Sequence, residues 1–442
     1  MIVAALLGGT AFAYWGIVLP VRAVGYDFTG PYEAAWALYH HAPLQVYDVP
    51  AQRVFNDTLL HLPQGPSDFR WTPPTAALLV PLGGLPYWTA RYIWLAISEG
   101  ALAFAVAMLG RLIYQSVSGK SAALAMAPRP RFAMTVLFCA VALSQPVTDS
   151  LRLGQSTPLL LLGMVAFTYG EVTDRPVLTG AGLALAILDK LFPVALLVWL
   201  VWRGRYRAAG ATLLFIAVLV VVTLPVTGWQ MYANFFAALR TYQNQPNAGP
   251  VNLSLYHAVI VVMAAIVRPG QPEPVSGIIQ MASLLICVAT FGVFLLNQGV
   301  PPLINRFRPA RRIVKWLRRQ EARDEGMFFG SSWAICSMLI LEPIVWVYYY
   351  LLLLVPFVWL LSASMRADRL PLRTTVAGFA GFGLACLPLV VDPRIATPMS
   401  VAFVTGIAVR PAGLLLLWGA LWWHARRTRH QSKQAEPVVT GG

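Results

Sequence analysis

Long apolar runs separated by short polar segments recur along the whole chain. A helix needs about 20 apolar residues to cross the hydrocarbon core of a bilayer, and fewer where it is broken. Only helices and closed barrels satisfy their backbone polar groups in lipid, so the pattern predicts an all-α polytopic membrane protein with about 12 transmembrane helices. The predicted spans are 2–20, 88–112, 132–148, 157–170, 176–189, 191–202, 208–226, 276–298, 327–342, 343–363, 374–391 and 399–423.

Two stretches of this pattern predict broken or incomplete spans. The run 73–86 lies between prolines and is too short to cross, which favours a re-entrant or interfacial hairpin. The spans 176–189 and 191–202 are also short. They are interpreted as halves of a bent pair around the sequence Leu188–Pro193.

Composition supports a membrane protein and excludes several other classes. Hydrophobic residues make up 58% of the 442 residues and charged residues only 12%, whereas soluble chains carry roughly 25% charged residues. A soluble enzyme, a disordered chain and a soluble nucleic-acid-binding domain are therefore excluded. The four cysteines lie inside apolar runs without metal-ligand spacing, which is typical of small buried apolar residues.

The net charge of +15 is then interpreted by side of the membrane. With the N-terminus in the cytoplasm, most lysines and arginines fall on the cytoplasmic side, including the basic cluster Arg306–Arg323. That cluster is interpreted as a helix against anionic lipid, with nucleic-acid or protein binding as the alternative. The same reasoning makes 253–268 an outer helix rather than a span. It predicts one transmembrane domain, 1–425, with outer loops 21–87 and 227–275, a basic cytoplasmic loop 299–326 and a disordered cytoplasmic tail 426–442.

Polar side chains concentrate in the two long outer segments, which predicts chemistry at the outer face of the inner membrane. Asp27 follows the first span in an aromatic setting, where an acid is costly unless it is used or paired. Its alternative role is to cap the helix that begins near Pro31.

Lys190 lies between two apolar segments, and the predicted orientation points it outward, toward Asp27. An ammonium there suits a lipid phosphate, because it neutralises charge as a compact point donor. The alternative is a structural ion pair with Asp189 or Asp27.

Further candidates occupy the remaining outer turns. Arg152 can bind a phosphate and Gln155 a sugar hydroxyl, or both can be turn residues. Asn252, Ser254 and His257 can line a sugar pocket or an interfacial helix face. Near the end of a later span, Glu342 needs a partner. Trp346 is a candidate for sugar or acceptor binding, with the alternative that it and the tyrosines after it form an aromatic belt.

The chain has no nucleotide-binding, cofactor-binding or metal-binding motif. A nucleotide-sugar donor is therefore not expected, and no cofactor or metal is predicted. A lipid-linked sugar that enters sideways from the bilayer requires none of these motifs.

Taken together, the segments resemble the pattern of glycosyltransferase family 87, the polyprenyl-phosphate-mannose-dependent membrane mannosyltransferases of the GT-C superfamily. The resemblance covers about residues 20–360 and rests on the order and spacing of several short motifs. These are the acid–aromatic start at Asp27, Tyr32–Ala35, Leu44–Asp48, Phe69–Pro74 with Pro81-Leu82 and Leu85-Pro86, Leu153–Gln155, Lys190 with Pro193, Asn252–Leu255 and Pro343–Trp346.

The resemblance implies a GT-C bundle with outer juxtamembrane helices and an active site at the outer leaflet. It implies inverting transfer of a hexose, mannose in that family, from polyprenyl phosphate to a lipid or glycan acceptor. By this resemblance, Asp27 matches the acid in the family's first outer loop, and Lys190 matches the family's lysine on the phosphate side.

One position departs from the family pattern. Where the family commonly has a histidine after its P-I-S-W motif, this chain has Tyr348, and a phenol with a pKa near 10 is a poor base at neutral pH. The base is then Asp27, Glu342 or His257. The alternatives to an active hexosyltransferase are a transporter or flippase of lipid-linked sugars and an inactive scaffold in envelope-glycan assembly.

Overall fold

The structure is a computed structural model that describes residues 2–61, 69–118, 128–243, 252–267, 277–298, 319–366, 370–388 and 400–434. The described residues form helices and contain no β-strand, which confirms the all-α prediction. They divide into two compact units. The first unit comprises 1–112, 134–249 and 347–352, and the second comprises 113–133, 250–346 and 353–442.

Short helices linked by turns build the first part of the first unit, and longer helices build the remainder. The α-helices that lie wholly or mainly in this unit are Ile2–Phe12, Leu19–Arg22, Thr29–Tyr39, Val49–Phe55, Pro73–Gly83, Tyr87–Ser118, Pro128–Ala142, Gln145–Leu153, Thr157–Val172, Pro176–Asp189, Val194–Trp202 and Tyr206–Gln243. The end of Tyr87–Ser118 from residue 113 and the start of Pro128–Ala142 up to residue 133 belong to the second unit. Its π-helical segments are Ala13–Val18 and Asn56–Leu60, and its 3-10 segments are Tyr26–Phe28, Pro43–Tyr47 and Val347–Leu353.

Two of these helices, Thr157–Val172 and Pro176–Asp189, form an antiparallel hairpin. Glycine lets their backbones touch: a Cβ on Gly163 would lie 2.8 Å from the Gly182 carbonyl oxygen, and a Cβ on Gly182 would lie 2.6 Å from that of Gly163. Small residues at a helix crossing permit such close packing in membranes. Because the two helices are of similar length, the end of the second reaches the start of the first.

Several predicted boundaries were wrong. The region 73–86 forms one helix, Pro73–Gly83, rather than a hairpin; two prolines at its start fit the first turn, where no N–H partner is required. The span 132–148 ends at Ala142, and a second helix, Gln145–Leu153, follows with a 50° bend. The helix predicted as 208–226 continues to Gln243 across a kink at Gly228.

The second unit contains the helices Leu255–Val267, Gly277–Asn297, Arg319–Leu341, Leu354–Met365, Leu372–Cys386 and Val401–Gln434. The tail 426–442 was predicted to be disordered. That prediction was wrong for its first part, because the last helix continues to Gln434. The span 343–363 starts later than predicted, since 342–346 are not helical and a 3-10 segment begins at Val347. Most of the Arg306–Arg323 cluster lies outside the described residues.

The described helices support a multi-pass membrane protein with fewer clear spans than predicted. Five are long and apolar enough to cross a membrane, and two bent pairs raise the number to seven. The bent pairs are Leu6–Arg22 with Tyr26–Tyr39, and Pro130–Ala142 with Gln145–Leu153. The remaining apolar helices, including both arms of the glycine-packed hairpin, are shorter, so the count of about 12 spans stays a prediction.

Candidate active site

Lys190 lies at the break that ends the Pro176–Asp189 helix. Its backbone is extended, with φ −140° and ψ 136°, and its N–H still donates to the Ala186 carbonyl at 3.0 Å. Pro193 begins the turn into the Val194–Trp202 helix. The predicted bend around Leu188–Pro193 is therefore confirmed as a helix break.

The segment after Phe69 docks directly onto this break. The hydroxyls of Thr72 and Thr75 both donate to the Leu188 carbonyl, at 2.6 and 2.7 Å. That carbonyl belongs to the last turn of a helix, where no intrahelical N–H remains to satisfy it. Trp71 is placed alongside as a result, and the Lys190 Nζ atom lies 5.1 Å from the centre of its ring. The distance is within cation–π range.

Charged groups of both signs surround the Lys190 ammonium. Burial lowers the pKa of Lys190 to about 8; Asp189 and Asp27 act to raise it and Arg70 to lower it further. Among the described residues Lys190 forms no direct ion pair with Asp189. The ammonium is thus partly desolvated and held against an aromatic ring, with two carboxylates in electrostatic reach.

Asp27 lies in the short 3-10 turn Tyr26–Phe28 and is partly buried. The turn is set by Gly25 in the left-handed region, with φ 74°, and is closed by the bond from Phe28 N–H to the Gly25 carbonyl at 2.8 Å. The next helix begins at Thr29 with Phe28 in the N-cap position. Phe28 makes no side-chain capping hydrogen bond, and a capping role for Asp27 stays a prediction.

Tyr348 shares this electrostatic environment. It is buried in the 3-10 segment Val347–Leu353, within electrostatic reach of Asp27, Arg70 and Asp149. Its neighbour Tyr349 packs on Phe192, with ring centres 5.1 Å apart, next to the helix break. The position that departs from the family pattern therefore lies in the same charge cluster as Asp27.

Arg152 and Gln155 flank the turn between the Gln145–Leu153 and Thr157–Val172 helices. Arg152 pairs with Asp149 at 3.2 Å, one helical turn earlier, and its side chain is 35% exposed. Gln155 is buried, and its Oε1 atom has no hydrogen-bond partner among the described residues. The adjacent Ser156 hydroxyl adjoins the Asp189 carboxylate, because the helix hairpin brings these two ends together.

In the second unit, Asn252 and Ser254 hold the non-helical segment that follows Glu342. Asn252 Nδ2 donates to the Pro343 carbonyl at 3.0 Å, and Asn252 Oδ1 accepts from Val345 N–H at 3.1 Å. Ser254 Oγ donates to the same Pro343 carbonyl at 2.8 Å. These two motifs therefore form one clamp, which is a structural role; sugar binding by either side chain stays a prediction.

The remaining candidates lie close to this clamp. His257 is 4% exposed, its N–H donates to Ser254 Oγ at 3.0 Å, and neither ring nitrogen has a hydrogen-bond partner among the described residues. Burial lowers the pKa of His257 to about 4, which makes it a weak base. Glu342 follows the Arg319–Leu341 helix and Trp346 precedes the 3-10 segment; their roles stay predictions.

Sequence reasoning missed Arg91, which lies in the Tyr87–Ser118 helix and is 1% exposed. An arginine inside a run predicted to span the membrane was the available signal, because such charges are expensive in lipid and are kept where they have a task. Asp189 and Arg70 were visible only as neighbours of other motifs. No group of three or more metal-ligating side chains occurs in the described parts of the chain.

Comparison with known families matches residues 69–306 to glycosyltransferase family 87. The match covers more than half of the 442 residues and includes Lys190, Arg152, Asn252 and Ser254; Asp27, Pro343–Val345 and Tyr348 lie outside it. A search of curated proteins found no match. The chain belongs to glycosyltransferase family 87 and is thus a membrane glycosyltransferase.

Proposed function

We propose that the protein transfers a hexose, with mannose the first sugar to test, from a polyprenyl-phosphate donor to a hydroxyl of a lipid or glycan acceptor. The observation that carries this proposal is the Lys190 ammonium, 5.1 Å from the Trp71 ring and within electrostatic reach of Asp27, Asp189 and Arg70. A cation, carboxylates and an aromatic surface in one place suit a phosphate-linked sugar.

In the proposed reaction the acceptor oxygen attacks the anomeric carbon from the side opposite the phosphate. The new C–O bond forms as the bond to the phosphate oxygen breaks, so configuration inverts. The acceptor proton passes to the Asp27 carboxylate, and the electron pair of the broken bond leaves with polyprenyl phosphate. Asp27 acts as general base, since a carboxylate is ionised at neutral pH.

Lys190 offsets the negative charge of the donor phosphate, which is present before the reaction and remains on the leaving group. Arg70 brings a second positive charge into the same electrostatic field. Such preplaced charges stabilise a transition state without reorganisation. Arg152, already paired with Asp149, retains unused N–H donors for the same phosphate, because a guanidinium has five.

Tyr348 fits this scheme as a hydrogen-bond donor. A phenol with an ordinary pKa near 10 is protonated at neutral pH and donates rather than accepts a proton. In electrostatic reach of Asp27, it would orient the carboxylate or a sugar oxygen. The loss of the family histidine therefore leaves Asp27 as the preferred base, with His257 and Glu342 as the alternatives.

The proposal places the site at the outer face of the cell membrane, with both termini in the cytoplasm. It rests on the asymmetric distribution of basic residues. We further propose that the short apolar helices are broken or incomplete spans of a GT-C-type domain, because each is shorter than the roughly 20 residues that a full span needs. No cofactor takes part, and the partners are the bilayer, the lipid-linked donor and the acceptor.

The test is an assay of purified protein in nanodiscs with polyprenyl-phosphate-mannose, polyprenyl-phosphate-glucose and GDP-mannose, each with candidate lipid and glycan acceptors. Mass spectrometry should detect transfer from a polyprenyl-phosphate sugar and none from the nucleotide sugar. Lys190→Met should abolish the product, and the control Asp57→Asn, an exposed acid, should not.

Other outcomes would contradict the proposal. Transfer from GDP-mannose would show that the donor is a nucleotide sugar and not a lipid-linked one. Movement of lipid-linked sugar across proteoliposomes without a new glycoside would indicate a transporter or flippase. Donor binding without transfer or transport would indicate an inactive scaffold.

A further inference from the structure

One face of the Tyr87–Ser118 helix binds two turns that carry candidate residues, the turn of Asp27 and the turn that leads to Gln155. Tyr87, Arg91 and Trp94 follow one another at spacings of four and three residues, which places them on one side of the helix. All three side chains donate hydrogen bonds to backbone carbonyls of other segments. Such a polar stripe is unusual for a helix that is otherwise apolar enough to span a membrane.

The first turn held by this face is the one that contains Asp27. Tyr87 Oη donates to the Val24 carbonyl at 2.7 Å. The Trp94 ring stacks on Phe28, with centres 5.8 Å apart and planes within 17°. Asp27 therefore lies in a turn that is fixed at both ends by residues of this helix.

The second turn is the one that leads to Gln155. Arg91 Nη2 donates to the Leu151 carbonyl at 2.8 Å, and Trp94 Nε1 donates to the Gly154 carbonyl at 2.8 Å. The Leu151 carbonyl lies in the last turn of the Gln145–Leu153 helix and also accepts from Gly154 N–H at 3.3 Å. Carbonyls at the C-terminal end of a helix carry partial negative charge, which favours a cation. This explains how a cation that is 1% exposed is tolerated.

Gly25 shows how closely Arg91 is fitted. A Cβ on Gly25 would lie 2.0 Å from Arg91 Nε, so any larger residue would displace the guanidinium. Arg91 Nε and Nη1 have no hydrogen-bond partner among the described residues. The close backbone leaves no space for a ligand beside Nε, which indicates a role in holding the protein rather than in binding substrate.

We propose that Tyr87, Arg91 and Trp94 form a positioning face that sets the Asp27 turn against the Gly154 turn, with Arg91 as its central positioning residue. The inference rests on the proposed function for its kinetic part only. An error of about 1 Å in the placement of a catalytic group can cost about a hundredfold in rate. Loss of Arg91 should therefore reduce turnover more than it reduces donor binding.

The first experiment compares Arg91→Met with Arg91→Lys and with the control Arg410→Met. Arg410 is also buried, at 2% exposure, and donates to the Ala385 carbonyl near the end of a helix in the second unit. Arg91→Met should lower kcat about tenfold to a hundredfold and change the Kd of a non-hydrolysable polyprenyl-phosphate analogue less than about threefold. Arg91→Lys should recover part of kcat, because an ammonium can still donate to Leu151.

Hydrogen exchange supplies a readout that does not depend on activity. The amides of Phe28 and Gln155, which bond to the Gly25 and Ser150 carbonyls at 2.8 Å, should exchange faster in Arg91→Met and unchanged in Arg410→Met. Normal kcat with normal exchange in Arg91→Met would overturn the proposal, as would equal effects of Arg410→Met. If the wild type transfers no sugar, the proposed function fails. The hydrogen-exchange rates of Phe28 and Gln155 then test the positioning role of Arg91 without any activity measurement.

A glycine pair keeps the test decisive if Arg91→Met does not fold. Gly25 and Gly228 both have positive φ, 74° and 66°, but a Cβ on Gly228 would meet nothing within 4 Å. Gly25→Ala should lower kcat and raise exchange at Phe28, while Gly228→Ala should do neither, although both strain the backbone. Equal behaviour of the two alanine variants would contradict the role of Arg91.

Discussion

Raising the pH from 7 to 9.5 is expected to weaken the binding of a polyprenyl-phosphate analogue by removing the charge of Lys190. Burial lowers the pKa of Lys190 to about 8 in the free protein. The protonated fraction then falls from roughly 90% at pH 7 to roughly 3% at pH 9.5. Because Lys190 neutralises the phosphate only when protonated, while the arginines stay charged, the Kd should rise by up to about 30-fold over this interval.

The stability of the protein should change in the opposite direction. The folded-state pKa of Lys190 is lower than its ordinary value of 10.5, so between about pH 8 and 10.5 the unfolded chain binds more protons than the folded one. The contribution of Lys190 to the free energy of unfolding therefore rises with pH across that window. Titration of Lys190 therefore does not unfold the protein at pH 9.5, and weaker donor binding at that pH would reflect the lost charge.

The assay is titration of the analogue into nanodisc-embedded protein, followed by the fluorescence of Trp71 and its neighbours. Lys190→Arg should bind with a Kd that is nearly independent of pH, because arginine stays charged. Lys190→Met should bind weakly at every pH. A wild-type Kd that is constant from pH 7 to 9.5, or an equal pH dependence in Lys190→Met, would refute the assignment of Lys190 to the donor phosphate.

Three further predictions concern the base, the clamp and the topology. Asp27→Asn keeps the shape of the side chain but removes its charge, so kcat should fall at least about a hundredfold while the melting temperature stays unchanged. The control Asp57→Asn should have a kcat near that of the wild type. Normal turnover in Asp27→Asn would exclude Asp27 as the base. Asn252→Ala leaves the Val345 N–H and the Pro343 carbonyl without this partner and should lower the free energy of unfolding by about 2–4 kcal/mol. Asn252→Asp should be less affected. Equal denaturation midpoints of Asn252→Ala and the wild type would contradict the clamp. Arg318→Cys, outside the described residues, should resist a membrane-impermeant thiol reagent applied to intact cells, and its labelling would overturn the predicted orientation.

The fold class and the break at Lys190 could be predicted because both are local properties of the sequence. Apolar run length indicates a helix in lipid, and a short polar pair before Pro193 indicates where a helix stops. The bend after Ala142 and the continuation of the helix beyond Gly228 were not predicted. Neither a bend between two helical stretches nor a tolerated glycine changes hydropathy enough to be recognised.

The candidate site was predicted as separate residues but not as an arrangement. Lys190 and Asp27 were both identified, yet nothing local indicates that Thr72 and Thr75 bind the Leu188 carbonyl and thereby place Trp71 beside Lys190. Contacts between segments more than a hundred positions apart depend on tertiary packing. Asn252 shows the same limit, since its hydrogen bonds to the Pro343–Val345 backbone join two motifs about 90 positions apart and could not be read from either motif alone.

The most direct test of the central claim is a single-turnover reaction of purified protein with polyprenyl-phosphate-mannose and an acceptor, in which the anomeric configuration of the product is read by NMR. We expect one molecule of polyprenyl phosphate released for each glycoside formed, with inverted configuration, and a hundredfold or greater loss of rate in Asp27→Asn. A product with retained configuration, or an undiminished rate in Asp27→Asn, would contradict the single displacement with Asp27 as its base.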